Sequence, residues 1–264
     1  MRDYHTHTHL CGHACGTPEA YVRSAIEHGL EEIGFNDHLP MLKYWQPNYS
    51  MTPEQLPEYV AQVHDLQRRF PEISIKLGIE ADYYTPAEED ATRELLARHP
   101  FDYVYGSVHC LDDWTFDDPE RIAEWDARDV NAVYEHYFAV LEQAVQSELF
   151  DILSHLDLVK KFGHRPTRDM STAVERVLQA CRDTGTAIEV NTAGLRKPVR
   201  EIYPAPDILG RIHRCRVPIV LGSDAHAPHE VACDFDVART LLRTRGFTET
   251  VIFEARTIVG TAPL

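Results

Sequence analysis

Asp3-Tyr4-His5-Thr6-His7-Thr8-His9, with His13 four residues further on, opens the chain with imidazoles at the spacing of an extended strand. Successive side chains of a strand point to opposite faces, so the spacing predicts that Asp3, His5, His7 and His9 share one face while Tyr4, Thr6 and Thr8 share the other. Two or more imidazoles then converge on one point. Neutral imidazole is the commonest protein ligand for zinc, iron and manganese, and a strand end is stiff enough to hold two ligands at bonding distance. An expression tag would be a contiguous histidine run, whereas this segment alternates with threonine behind an acidic residue. The stretch reads as a metal-binding strand end.

The same arrangement recurs along the chain. β-prone runs near 2–7, 32–36, 73–80, 102–108, 151–155, 186–191, 217–223 and 250–254 alternate with helical patterns over 18–29, 53–69, 86–98, 119–147, 169–184, 205–214 and 230–245. Three helices are expected to start with one device, Thr17-Pro18, Thr52-Pro53 and Thr85-Pro86, in which threonine caps an orphan N–H and proline fills the first helical position. Strand–helix alternation over seven or so units predicts an α/β fold with a parallel sheet closed into a TIM-like barrel, and residues 1–264 as a single domain. His5/His7, Asp37-His38, Glu80, His109, His155, Asn191 and Asp224-Ala225-His226 each fall at or just past the C-terminal end of an expected strand. That rim is where catalytic groups gather in such barrels. Segments 39–51 and 110–118 are expected to be rim loops over the site.

Composition narrows the partners. Forty-two acidic against 26 basic residues give a formal charge of −16, which disfavours nucleic acid and anionic membranes as partners but leaves a small phosphorylated substrate compatible. No apolar run approaches the roughly 18 to 20 residues of a membrane span, and no basic-then-apolar leader precedes the histidine strand, so the expected location is the cytoplasm. The six cysteines are expected to be free thiols. Cys11 and Cys15 flank His13 and Cys110 follows His109, so a softer metal site stays open, although no Cys-x-x-Cys pair exists to chelate a structural zinc.

His5, His7, His13, His38, Glu80, His109, His155, Asp224 and His226 are too many ligands for one ion and would fill two or three sites if Glu80 bridges. Multi-metal centres generate hydroxide at neutral pH and clamp phosphoryl oxygens, so hydrolysis of a phosphate ester follows. His28, His64, His99, His136 and His213 lie in helical patterns or at their ends and read as surface histidines. His9 and His229 are left outside the ligand set, and Asp37 is either a ligand or, as is the commoner arrangement, a carboxylate that orients His38 through its ring N–H.

Asp3-Tyr4-His5-Thr6-His7-Thr8, Asn36-Asp37-His38, Gly78-Ile79-Glu80, Gly106-Ser107-Val108-His109, Ser154-His155-Leu156-Asp157 and Gly222-Ser223-Asp224-Ala225-His226 resemble the ordered motifs of the polymerase-and-histidinol-phosphatase (PHP) superfamily. The resemblance spans nearly the whole chain and implies a distorted (β/α)7 barrel with three divalent transition-metal ions (zinc, iron or manganese) at the C-terminal rim. By motif position it implies His5, His7, Glu80 and Asp224 at one metal, Glu80, His109 and His155 at a second, and His13, His38 and His226 at the third. Segments 9–17, 106–114, 157–163 and 189–197 are most similar to the monofunctional histidinol-phosphate phosphatases. That similarity implies hydrolysis of L-histidinol phosphate by a metal-bridging hydroxide, with Glu80, Asp224 and His226 catalytic through the metals. Arg196, Lys160, Lys161, Asn191 and Trp114 are the expected substrate contacts. Where relatives are expected to carry arginine after Leu156-Asp157-Leu158, this chain has Lys160 and Lys161, which bind phosphate as point charges without a bidentate fork.

Two other readings compete with this one. A nuclease or nucleotide phosphatase of the same superfamily would need a basic groove beside stacking aromatics, and no basic cluster accompanies Trp45, Trp114 and Trp125. A non-catalytic metal-binding module would be favoured by missing ligands, and every expected ligand type is present.

Overall fold

The computed structural model describes residues 1–264. Its strands are β1 (Arg2–Thr6), β2 (Glu32–Phe35), β3 (Ser74–Asp82), β4 (Tyr103–Ser107), β5 (Cys110–Leu111), β6 (Trp114–Thr115), β7 (Ile152–Leu153), β8 (Ala187–Asn191), β9 (Ile219–Gly222), β10 (Glu249–Glu254) and β11 (Thr257–Pro263). The α-helices are α1 (Pro18–Glu27), α2 (Leu56–Arg69), α3 (Glu89–Leu96), α4 (Val130–Gln146), α5 (Ser171–Thr184), α6 (Pro206–Cys215) and α7 (Phe235–Thr244). Seven parallel strands pair in the order β1-β2-β3-β4-β7-β8-β9. The first and last meet where His7 N–H donates to Ala225 O at 2.9 Å and Ala225 N–H to His5 O at 3.2 Å, so the barrel is nearly closed.

The interior is filled in a way that raises the site to the rim. Tyr4, Tyr103, Tyr105, Ile152, Ala187 and Val220 from five barrel strands pack with Phe253 in one buried layer. Tyr103 stacks on Tyr4 at 4.9 Å and crosses to β2 and β3, where Gly34 and Gly78 leave room for its ring. A register shift between Asp3 and Thr6 breaks strict alternation in β1. Tyr4 therefore joins this layer while His5 still reaches the site, and Asp3 turns away to accept from Ser223 and Ala232. A bulge explains why the even-odd rule misassigned Asp3. Gly34→Ala would set a methyl 1.7 Å from the Tyr103 hydroxyl. We expect a loss of about 1–3 kcal/mol from overpacking, read as a lower urea midpoint. An unchanged midpoint would mean that Tyr103 is not confined there.

Three expectations need correction. The run near 250–254 is β10, which pairs antiparallel with β11 outside the barrel; its Phe253 N–H donates to Tyr4 Oη at 3.2 Å. The helix expected over 119–147 is split into a 3₁₀ segment (Pro119–Ala127) and α4, because Asp129 caps α4 by accepting from Asn131 N–H. The Thr-Pro device operates at Thr17 and at Thr85. At Thr52 it does not: α2 begins at Leu56, with Pro57 in its first turn.

Candidate metal centre

Glu80, near the end of β3, is the hub. Its Oε2 lies 3.1 Å from His38 Nδ1, 3.4 Å from His5 Nε2 and 3.7 Å from His7 Nε2. Its Oε1 lies 3.2 Å from His155 Nε2 and 4.0 Å from His109 Nε2, and accepts from the Ser107 hydroxyl at 2.5 Å. One carboxylate thus faces two sets of imidazoles with its two oxygens. Asp224, just past β9, presents Oδ1 at 3.1 Å to His7 Nε2 and at 3.8 Å to His5 Nε2. Its φ of 52° lies in the left-handed region that aspartate adopts only at some cost, as is common at functional sites. His13, His38 and His226 gather above, with His13 and His226 stacked at 4.6 Å and His13 and His38 rings 5.6 Å apart. Their inner nitrogens are set by backbone: His13 Nδ1 faces Cys11 O at 3.1 Å and His226 Nδ1 faces Asp224 O at 3.0 Å.

The charge balance invites a cation. Burial opposes ionisation of Glu80 and Asp224, yet the surrounding histidines hold both carboxyls well below the usual range. Burial also keeps His38 and His226 well below the ordinary histidine value, so they stay in the neutral form that ligates metal. Against the same burial, Glu189, Glu80 and Asp224 draw a proton onto His5, raising it well above that value, and Asp82 helps to push His109 up to about 10. His5 Nε2 and His7 Nε2 nevertheless approach to 3.1 Å. His226 Nε2, His7 Nδ1 and His155 Nδ1 have no hydrogen-bond partner. Donor atoms of His5, His7 and Glu80, of His38, Glu80 and His109, and of His7, His38 and His226 each lie within 4.8 Å of one another. Electron-rich atoms converging this closely, with His226 Nε2 among them unpartnered, fit divalent metal ions.

A cavity of about 420 Å³ opens over the cluster. Seven of the nine expected ligands line it, and His5 and His7 lie fully buried beneath. Asp37 accepts from the backbone N–H groups of Thr8 and His38 and does not hold the His38 ring, whose Nδ1 faces Glu80; the imidazole nitrogen near it is His7 Nδ1, at 3.5 Å. Both expected rim loops contribute to the wall, through Met41, Asn48 and Tyr49 and through Thr115, Asp117 and Asp118.

The expected substrate contacts fare differently. Lys161 reaches the cavity, its ammonium 3.0 Å from Asp117 Oδ2. Lys160 does not: it is buried, with its three donors engaged by Asp157 at 2.8 Å, Glu201 at 2.9 Å and Ile202 O at 2.7 Å. Arg196 turns from the cavity to donate to Ser223 O at 2.7 Å and to pair with Glu230 at 3.4 Å, while its neighbour Lys197 lines the wall. Trp114 is buried against Trp125, with Arg128 over its ring at 4.0 Å, and contributes nothing to the cavity. Asn191 is buried too, donating to Glu189 at 3.0 Å and toward Asp224 at 3.4 Å. All six cysteines are free; Cys11 alone among them joins a metal-compatible group, its sulfur near His13 and His226 and accepting from Ala14 N–H at 3.3 Å.

Sequence reasoning missed Asp82, whose Oδ1 is 2.9 Å from His109 Nδ1, and Glu189, 2.7 Å from His5 Nδ1. Each sits two residues from a recognised rim residue on the same strand, Glu80 and Asn191, and that period of two was the available signal.

Comparison with known proteins agrees with this geometry. The chain is 43% identical over 255 residues to the probable histidinol-phosphatase of Deinococcus radiodurans, covering 96% of each. It is 28% identical over 262 residues to the histidinol-phosphatase of Lactococcus lactis, covering 97% of this chain and 95% of that one. A crystal structure of histidinol phosphate phosphatase from Lactococcus lactis, complexed with zinc, L-histidinol and phosphate, superposes with a TM-score of 0.82 at 27% identity over 97% of this chain and 98% of that one. The PHP domain model matches residues 3–193, the stretch that carries seven of the nine clustered ligands, and with its barrel and its rim of histidines the chain belongs to the PHP domain family.

Proposed function

We propose that this chain hydrolyses L-histidinol phosphate to L-histidinol and inorganic phosphate, as a step of histidine biosynthesis. The observation that carries the reading is the two-faced Glu80 under an open cavity, in a chain whose relatives bear that activity by name. His5, His7, Glu80 and Asp224 would hold one ion, Glu80, His109 and His155 a second, and His13, His38 and His226 a third. Zinc, iron and manganese all suit this donor set. Bound there, such ions supply Lewis acidity toward the phosphoryl group and the means to activate water.

The chain's own residues do the rest. Asp82 keeps a proton on His109 Nδ1 and so turns its Nε2 toward Glu80. Lys161 and Lys197 place positive charge on the cavity wall for the phosphate, taking the role expected of Lys160 and Arg196. Asp117, Asp118 and Tyr49 form a polar, acidic wall suited to the amino end of a cationic alcohol. With Asp82, Asp117 and Asp118 on its wall and a formal charge of −16, the site is ill suited to a polyanionic nucleic-acid strand. We read residues 1–264 as one domain, because the hairpin β10–β11 packs on the barrel interior through Phe253. Free thiols fit a cytoplasmic setting. No helix is long and apolar enough to cross a membrane.

The test is phosphate release from histidinol phosphate, nucleoside monophosphates and short oligonucleotides on one metal-analysed preparation; preference for a nucleotide or oligonucleotide would overturn the assignment. Lys161→Ala and Lys197→Ala should each lower kcat/KM for histidinol phosphate roughly ten- to a hundredfold, the worth of a charge-assisted hydrogen bond, with metal content unchanged. If neither variant departs from wild type, the phosphate is held elsewhere.

A further inference from the structure

We infer that Glu189, which is no ligand in the arrangement above, is the positioning residue that joins the two halves of the metal centre. The inference rests on the proposed metal centre. Glu189 lies on β8, fully buried, and accepts at both carboxylate oxygens. Oε1 takes His5 Nδ1 at 2.7 Å. Oε2 takes His155 N–H at 2.9 Å, Asn191 Nδ2 at 3.0 Å and the Ser154 hydroxyl at 3.2 Å. Asn191 in turn points Nδ2 toward Asp224 Oδ2 at 3.4 Å. One side chain thereby ties groups on β1, on β8 and past the ends of β7 and β9.

A carboxyl group, with an acceptor oxygen at each end, can meet these partners at once. A proton on His5 Nδ1 leaves the Nε2 lone pair aimed at Glu80, which is the tautomer a ligand needs. A glutamine could accept from His5 at one end, but its NH2 would then face the N–H donors of His155 and Asn191 at the other. A buried carboxylate is costly to fold around, and an apolar side chain of similar volume would meet no such cost. The neighbouring strand is shaped to admit it: a Cβ at Gly222 would lie 1.9 Å from Glu189 Oε1 and 2.8 Å from His5 Cβ.

Two unlike substitutions should therefore have one outcome. Glu189→Gln removes the charge at nearly constant shape, and Gly222→Ala displaces the Glu189–His5 pair at constant charge. Metal-stripped proteins are titrated with zinc against a chromophoric chelator. Both variants should bind zinc about 10- to 100-fold more weakly than wild type while melting cooperatively. Val190→Ala, which trims the core on the same strand, should lower the melting temperature with wild-type zinc affinity. If Glu189→Gln fails to fold, Gly222→Ala carries the test. Wild-type zinc affinity in the folded variants overturns the inference and leaves the proposed hydrolysis standing; equal weakening by Val190→Ala also overturns it, as general loosening. A wild-type protein that binds no zinc overturns this inference and the metal-centred reading together.

Discussion

Glu80→Gln should lose hydrolysis more completely than substitution of any other carboxylate in the chain. Its two oxygens face different sets of imidazoles, His38, His5 and His7 on one side and His155 and His109 on the other. A neutral amide there offers one acceptor and one donor where two acceptors are needed, and removes the negative charge that offsets the ions. Breaking one member of a buried charge pair costs about 3–5 kcal/mol. Appearing in the transition state, that cost corresponds to roughly two to four powers of ten in kcat. Metal content per chain should fall with it. A variant with its full metal complement and near-normal turnover would show that Glu80 is not shared between sites.

Chelation should abolish hydrolysis altogether, and a divalent transition metal added back should restore it. The cavity wall holds cations and hydrogen-bonding groups, but the nine clustered histidine and carboxylate side chains have no evident role without an ion between them. Magnesium alone should restore little, since it prefers oxygen cages with near-octahedral geometry and this set is mostly imidazole. Full activity in excess chelator, after metal analysis confirms removal, would overturn the mechanism. Partial recovery that differs among zinc, iron and manganese would identify the ion that suits the site best.

Much of this site was legible because strand ends obey a short-range rule. His5, Glu80, His109, His155 and Asp224 could be assigned to a rim from strand periodicity alone, since a parallel barrel carries all its C-terminal strand ends to one side. The rule failed at Asp3, where a bulge in β1 shifts the register. It also failed for residues 250–254, where a strand-forming run pairs with the chain end instead of the barrel. Neither a bulge nor a pairing partner is encoded in the local alternation of polar and apolar residues.

The sequence by itself determined the barrel class, the rim that carries the site and the kind of donor atoms gathered there, because strand and helix periods and strand-end polarity are local properties of the chain. Only the tertiary structure decided which basic and aromatic residues meet the cavity. Lys160 and Lys161 are neighbours in a single 3₁₀ turn and its cap, where successive side chains point about 120° apart. One is drawn into Asp157 and Glu201 while the other faces the site. Arg196 and Lys197 divide in the same way, and Trp114 is claimed by Trp125 and Arg128. A long cationic or aromatic side chain goes wherever a distant partner offers charge or packing, and those partners lie on segments remote in sequence that only the folded barrel brings alongside.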